Sequence, residues 1–330
     1  MNDAVKVSVC IPVYNAERYI EQCARSLFDQ TLQHGIEFIF VDDCTPDQSF
    51  NVLEDVLAAY PHRKSQVKII RQSQNGGVCR TRKVAMRHAV GTYIIHCDPD
   101  DWVKPTMYET LLRQAELTHA DMVYCDYVRY HSEEVQKVVV LEALVDHEEM
   151  IRRFLYRTIT ATCLWNKLYR RAFLDCVNLE LVPDTITYGE DLVFNLLLLP
   201  YCQTIVKVNE PLYIYRDTPN SITAHLGKDI RIKRNIFQLQ LAFDKVVQGD
   251  QYTAAMESSQ RFALYTAISS GIVNATQWHR LWKRAKRGMW KDQRWNLIQR
   301  IIFYFACLNF TLTSFVFKLL TGRLKASKQS

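Results

Sequence analysis

A chain of 330 residues with 48% hydrophobic and 12% aromatic side chains carries enough apolar surface for a sizeable core and excludes an intrinsically disordered protein. Its net charge of +6 conceals an asymmetry: residues 276–330 hold twelve Lys and Arg against Asp292 alone, whereas the first 275 residues hold 29 basic and 34 acidic side chains. A mildly acidic body argues against nucleic-acid binding, and the basic end points to an anionic partner.

The first residues, Met1-Asn2-Asp3-Ala4-Val5, contain neither a basic n-region nor an apolar h-region. No secretory signal is expected, and the protein is expected to be cytoplasmic. Ten cysteines are scattered without a C-x-x-C pair, so they read as small buried hydrophobes in a reducing compartment, neither a disulfide framework nor a zinc site.

Val7 to Pro12 is a continuously apolar run, which predicts a strand buried on both faces that ends at Val13-Tyr14-Asn15. A helix is predicted from about Ala16 to Gln30, with Tyr19, Ile20, Cys23, Leu27 and Phe28 on one stripe. Ile36 to Val41 predicts the second strand, terminated by Asp42-Asp43-Cys44-Thr45-Pro46 and followed by a helix capped near Pro46-Asp47; Val67 to Ile70 predicts the third. Asn75-Gly76-Gly77 opens a helix with Arg80, Arg82 and Lys83 in its first turns, where Arg80 and Lys83 are expected to be solvated, and Tyr93 to His96 is the fourth strand.

That strand runs into Cys97-Asp98-Pro99-Asp100-Asp101-Trp102. Three carboxylates within four positions repel one another unless a cation binds, and hard oxygens on a short turn suit Mg²⁺ or Mn²⁺ together with phosphate oxygens. An Asp-rich turn is also ordinary turn and capping chemistry. Its weight comes from position: strands alternating with helices describe a doubly wound sheet whose ligands sit at the carboxyl ends of strands, where Tyr14-Asn15, Asp42-Asp43 and Asp98 to Asp101 all fall. Neither G-x-G-x-x-G nor G-x-x-x-x-G-K-[ST] is present, which leaves phosphates to metal and arginine.

Further on, Asp121 to Asp126 predicts a fifth strand and Val135 to Leu141 an antiparallel edge. Trp165 to Arg171 has the pattern of a helix-forming core segment with a basic solvent face. Gly189 interrupts the chain before a helix with Glu190 and Asp191 in its first turn, where acidic residues offset the dipole whatever else they do. Pro211 to Arg216 is a short strand, and helices are predicted around 228–248 and 252–274. Trp278, Trp282, Trp290 and Trp295 then stand among Lys283, Arg284, Lys286, Arg287, Lys291 and Arg294, ahead of an apolar run from Leu297 to Phe317. That run falls short of the ~20 apolar residues of a clean span and reads as interfacial or re-entrant on an anionic membrane; packing on the body or on a second copy is the alternative.

Five segments in register, Val9 to Asn15, Phe40 to Thr45, Asn75 to Arg82, Asp98 to Trp102 and Tyr188 to Leu192, resemble the family 2 glycosyltransferases over about residues 6–225. The resemblance implies an α/β GT-A fold, a Rossmann-like, mainly parallel sheet flanked by helices. It implies a catalytic domain over 1–225, with a nucleotide half to about 103 and an acceptor half from about 104 to 225. A helical C-terminal region over 226–330, with a membrane-associating tail at 276–325, follows.

It further implies an inverting, metal-dependent enzyme of bacterial surface-polysaccharide type that moves a hexose or N-acetylhexosamine from a UDP-sugar to a saccharide hydroxyl, the acceptor lipid-linked. By the same resemblance Pro12 and Tyr14 hold the base, Asp43 meets the uracil imide, Arg82 supports the nucleotide site and Asp98 reaches the ribose side. Asp98 and Asp100 take Mn²⁺ or Mg²⁺, Asp101 orients its neighbours, and Arg216 approaches the diphosphate. Asp191 is the general base, and Glu190 holds loop or acceptor. Trp165 to Arg171 resembles the wall of the donor-sugar site. The expected location is peripheral, on the cytoplasmic face of the inner or plasma membrane, with no nucleic-acid partner and the oligomeric state open. A nucleotidyltransferase and a non-catalytic nucleotide- or glycan-binding scaffold are the competing readings.

Overall fold

The apolar run near the N-terminus forms β1 (Val7–Val13), buried along its whole length between two parallel neighbours, β2 (Ile36–Asp42) and β4 (Tyr93–His96). Strand β3 (Val67–Arg71) extends the parallel set beyond β2, giving the spatial order β3-β2-β1-β4. The order therefore reverses between β1 and β4, the place where an open α/β sheet leaves a crevice at its strand ends. This is a computed structural model, and it describes residues 4–133, 136–143, 146–158, 162–218, 230–270, 289, 292 and 295–308. The chain divides into two compact units, Met1–Met150 with Ala161–His225, and Ile151–Thr160 with Leu226–Ser330.

In the first unit, α1 (Ile20–Phe28), α2 (Ser49–Ala58) and α3 (Gly77–His88) connect the parallel strands. Helix α1 begins later than the apolar stripe suggests. The backbone N–H groups of Asn15, Ala16 and Glu17 donate to Thr45 Oγ1, Ser49 Oγ and Asp47 Oδ2, so side chains of the next loop satisfy donors that no carbonyl of the approach to α1 could reach.

After β4 come β5 (Trp102–Val103), α4 (Met107–Thr118), β6 (Met122–Tyr130), β7 (Gln136–Val139), α5 (His147–Tyr156), β8 (Lys167–Arg170), α6 (Glu190–Leu198) and β9 (Ile205–Arg216). Among the described residues all nine strands form one sheet. Its second half is mixed: β8 lies antiparallel to β4 and β6, β6 and β9 run parallel, and β5 and β7 pair antiparallel to β9 and β6. The expected helix over Trp165 to Arg171 is thus a turn at Trp165 and Asn166 followed by strand β8. Asn166, just before the strand, and Lys167 are buried at 0% and 2% exposure, and only Arg170 and Arg171 at the far end are half-buried, so the basic face is confined to that end. The core is continuous from Val9 and Phe38 through Ile95 and Tyr108 to Val123, Leu168 and Tyr213.

Of the cysteines, Cys10, Cys23, Cys79, Cys97, Cys125 and Cys202 are buried, as small hydrophobes would be, but Cys44 and Cys176 are exposed. The second unit contains α7 (Ile230–Val246) and α8 (Thr253–Ser270), joined by hydrogen bonds from Ser259 Oγ to Gln240 Oε1 and from Gln260 Nε2 to Asp244 Oδ1, both 3.0 Å. A last helix, α9, covers Leu297–Leu308. Among the described residues no helix is long and apolar enough to cross a membrane. Trp278, Trp282, Trp290 and the apolar run beyond Leu308 lie outside the described residues.

Candidate active site

Three strand ends build one rim. At the end of β1, Tyr14 is 45% exposed and Asn15 takes a left-handed conformation with φ +50°; at the end of β2, Cys44 does the same at +56°. Asn tolerates this region and Cys does so only under constraint. The constraint is Asp47, whose Oδ1 accepts from Thr45 Oγ1, Ser49 N and Ser49 Oγ while its Oδ2 accepts from Glu17 N. Those bonds hold its carboxyl below the usual range against the opposing effect of burial. Pro12 is buried inside β1 opposite Val41, so the accessible ring at this strand end is that of Tyr14.

Asp42 closes the β2 turn by accepting from Thr45 N at 2.8 Å and pairs with Arg71 at 3.3 Å. Asp43, 3% exposed, reaches across to α3: Oδ1 accepts from Gly76 N (2.7 Å) and Gln72 Nε2 (3.0 Å), Oδ2 from Gly77 N (2.9 Å). It therefore caps the start of α3, where the φ of Gly77, +82°, suits glycine.

The acidic turn after β4 is fixed from the far half of the sheet. Tyr213, on β9, donates its hydroxyl to Asp101 Oδ2 at 2.7 Å and accepts from Asp98 N at 3.1 Å, while Asp101 Oδ1 accepts from Arg216 N at 2.7 Å. Trp165 stacks on the Tyr213 ring with centroids 4.1 Å apart. Arg216 donates Nε to the Asp100 carbonyl and Nη2 to Gln22 Oε1, and its guanidinium lies 4.4 Å from the Trp102 ring centre. Its contacts thus go to the turn itself, and Asp101 is a strut of that turn.

Asp98 and Asp100 remain as hard oxygen donors. Burial, and next the charge of Asp98, push the Asp100 carboxyl up to about 6. Two carboxylates on one short turn, with the charge of Asp98 opposing ionisation of Asp100, are a donor set that fits Mg²⁺ or Mn²⁺. Among the described residues no three His, Cys, Asp or Glu side chains gather as a cage for a metal. Phosphate oxygens and water usually complete the coordination of Mg²⁺.

Arg82 joins the turn to α6. Its side chain is 3% exposed, and it donates Nη2 to Asp98 Oδ1 at 2.9 Å, with Asp191 Oδ1 at 3.4 Å from Nη2 and Glu190 Oε1 at 3.5 Å from Nε. Residues 82, 98, 190 and 191 therefore share one pocket. Asp191 Oδ1 makes no hydrogen bond among the described residues. Burial is the main cause that pushes the Asp191 carboxyl up to about 8; Arg82 opposes it, and Glu190 and Asp98 add to it. The helix carrying it starts from Gly189 at φ +82° and is tied to β8 by Asn195, which accepts from Tyr169 OH at 2.6 Å and donates to the Asp191 carbonyl at 2.7 Å.

Two further residues that the amino-acid pattern left as ordinary belong here. Asp47 binds the first two strand ends together, and Lys83, expected in solvent, is 2% exposed. Its ammonium reaches Asp184 Oδ1 (2.5 Å), Glu180 Oε2 (3.1 Å) and the Val182 carbonyl (3.1 Å), seating the segment before Gly189 on α3. Buried Lys167 bonds the Cys163 carbonyl and Asn166 Oδ1, and burial holds its ammonium below the usual range.

A switch-point crevice lined by an acidic turn, in a mixed sheet of this order, defines a GT-A type α/β protein, and the comparisons agree. The family described as Glycosyl transferase family 2 matches residues 8–177, more than half of the chain. The chain belongs to that family. The uncharacterized glycosyltransferase EpsJ of Bacillus subtilis is 35% identical over 222 residues, 66% of this chain and 62% of EpsJ, so the match spans less than two thirds of that relative. Among solved structures, Staphylococcus aureus TarS 1–349 in complex with UDP shares the fold at TM-score 0.59 and 19% identity, over 85% of this chain and 79% of that one. Mannosyltransferase PcManGT of Pyrobaculum calidifontis, in complex with GDP-Man and Mn²⁺, does so at 0.52 and 12%, over 96% and 87%.

Proposed function

We propose that this chain is an inverting glycosyltransferase that moves a hexosyl or N-acetylhexosaminyl group from a UDP-sugar to a hydroxyl of a lipid-linked saccharide, in the synthesis of a surface polysaccharide or teichoic acid. The observation that carries the reading is the Arg82 cluster, which brings Asp98 of the acidic turn and Asp191 of α6 to the same nitrogen, Nη2, of one guanidinium. The TarS relative, a poly(ribitol-phosphate) beta-N-acetylglucosaminyltransferase, supports the pathway class, and the TarS complexes with UDP and UDP-GlcNAc support the donor class.

In this reading the exposed ring of Tyr14 stacks on uracil, Asp43 offers its carboxylate to the imide N–H while capping α3, and Asp98 faces the ribose side. Arg216, anchored over Trp102, holds the turn beside the diphosphate. Asp98 and Asp100 would hold Mn²⁺ or Mg²⁺; a divalent ion bound there neutralises charge growing on the departing diphosphate. Asp191 takes the proton of the acceptor hydroxyl as its oxygen forms a bond to C1 and the C1–O bond to UDP breaks, the bonding pair leaving with UDP. A carboxylate displaced to about 8 by burial has the proton affinity this step needs. Glu190 holds the acceptor side of the pocket, and Trp165 with its flanking strand walls the sugar.

The test is release of UDP from a panel of UDP-sugars with Mn²⁺ or Mg²⁺, water standing in for the acceptor. UDP is expected, with the rate collapsing in a chelator and in Asp100→Ala. Release of pyrophosphate would indicate a nucleotidyltransferase, and binding without turnover a scaffold.

A further inference from the structure

Helix α9 presents an apolar stripe to solvent. Leu297, Ile298, Ile301, Tyr304 and Phe305 are 64%, 69%, 41%, 52% and 55% exposed. At 3.6 residues per turn these five positions fall within an arc of roughly 120°, one side of the helix. An apolar stripe of this width normally faces a core; left in water, it marks a surface that meets something else. The sequence around it names the partner by charge. Residues 276–330 hold twelve basic side chains against Asp292, and six of the twelve lie between Lys283 and Arg294, ahead of the stripe. Asp292 is itself taken up by Arg261, at 2.8 Å, so it does little to offset that excess.

We propose that the exposed face of α9 is a membrane-docking surface that lies in the interface of a bilayer containing anionic lipid. The five apolar side chains enter the acyl boundary, and the basic excess of the sequence over 276–330 favours anionic headgroups over neutral ones. An anionic lipid surface fits better than a second copy of the chain, because two copies would bring two strongly basic segments together. Among the described residues no helix is long and apolar enough to cross a membrane, and the proposal lays α9 along the surface. The proposal rests on the lipid-linked acceptor of the proposed function and specifies which apolar residues make the membrane contact.

Flotation of the full chain with phosphatidylcholine vesicles, with and without phosphatidylglycerol, tests it, with UDP release measured on the same preparations. The wild-type chain should float with the mixed vesicles, less with phosphatidylcholine alone, and less again at high salt. The double variant Ile301→Glu/Phe305→Glu, which changes only exposed positions, should lose binding by about tenfold or more while releasing UDP at the wild-type rate. A wild-type chain that stays at the bottom of the gradient, a variant that floats as well as wild type, or a dimer in sedimentation that the variant dissociates would each overturn the proposal. Flotation without UDP release would leave it standing and remove the catalytic reading.

Discussion

Arg82 concentrates the electrostatics of the pocket in a single side chain. One buried guanidinium faces three carboxylates, from Asp98, Glu190 and Asp191, within 3.5 Å, so the cluster stays negative and part of the cost appears as a proton held on Asp191. Removing the cation leaves acidic groups buried without a partner. Arg82→Met should therefore lower stability by about 3–5 kcal/mol in urea titrations, well beyond a loss of packing volume, and an unchanged midpoint would contradict the cluster's role. The residue pattern placed Arg82 in the first turns of a helix, and the family resemblance implied a nucleotide site beside it. That it also reaches α6 was not legible, because residues 98 and 190 meet only through the packing of the second half of the sheet. Asp47 was legible only as a cap; its four accepted bonds depend on where the β1 loop returns in space.

Helix α3 is the element that ties the rim together. Its N-terminus is capped by Asp43, Arg82 points to the acidic turn and to α6, and Lys83 holds the segment from Glu180 to Asp184. If Lys83 sets the approach to Gly189 and Asp191, then Lys83→Gln should lower kcat for UDP release by about tenfold or more while leaving KM for the UDP-sugar within about threefold, since the base end of strands β1 and β2 is untouched. A rise in KM without a fall in kcat would assign Lys83 to donor binding instead. The strands of the parallel half were legible as uninterrupted apolar runs. Strand β8 was not, because Trp165 to Arg171 mixes polar residues with aromatics, and burial of Asn166 and Lys167 depends on bonds to Cys125 and Cys163 that no local period reveals. Two-residue β5 has no period at all; it exists through its pairing with Tyr213 and Ile214.

Across the whole molecule the first unit joins a parallel half that offers three strand ends to a mixed half that fixes the acidic turn through Tyr213 and carries Asp191, the proposed base, on α6. The alternation of strands and helices made the first half readable in order; the second half needed the register of β6, β8 and β9, which is set by tertiary pairing. The central claim is that the acidic turn and Asp191 serve one reaction. Because the Asp191 carboxyl is displaced to about 8, it must lose its proton to act as a base, so activity should climb as pH rises through that value. The most direct measurement is the pH profile of kcat/KM for UDP release by the wild-type enzyme and by Asp191→Asn. A wild-type limb rising to about pH 8, with a variant slower by ~10²–10⁴ and lacking that limb, is the predicted result; a variant within about threefold of wild type, with the limb intact, would contradict it.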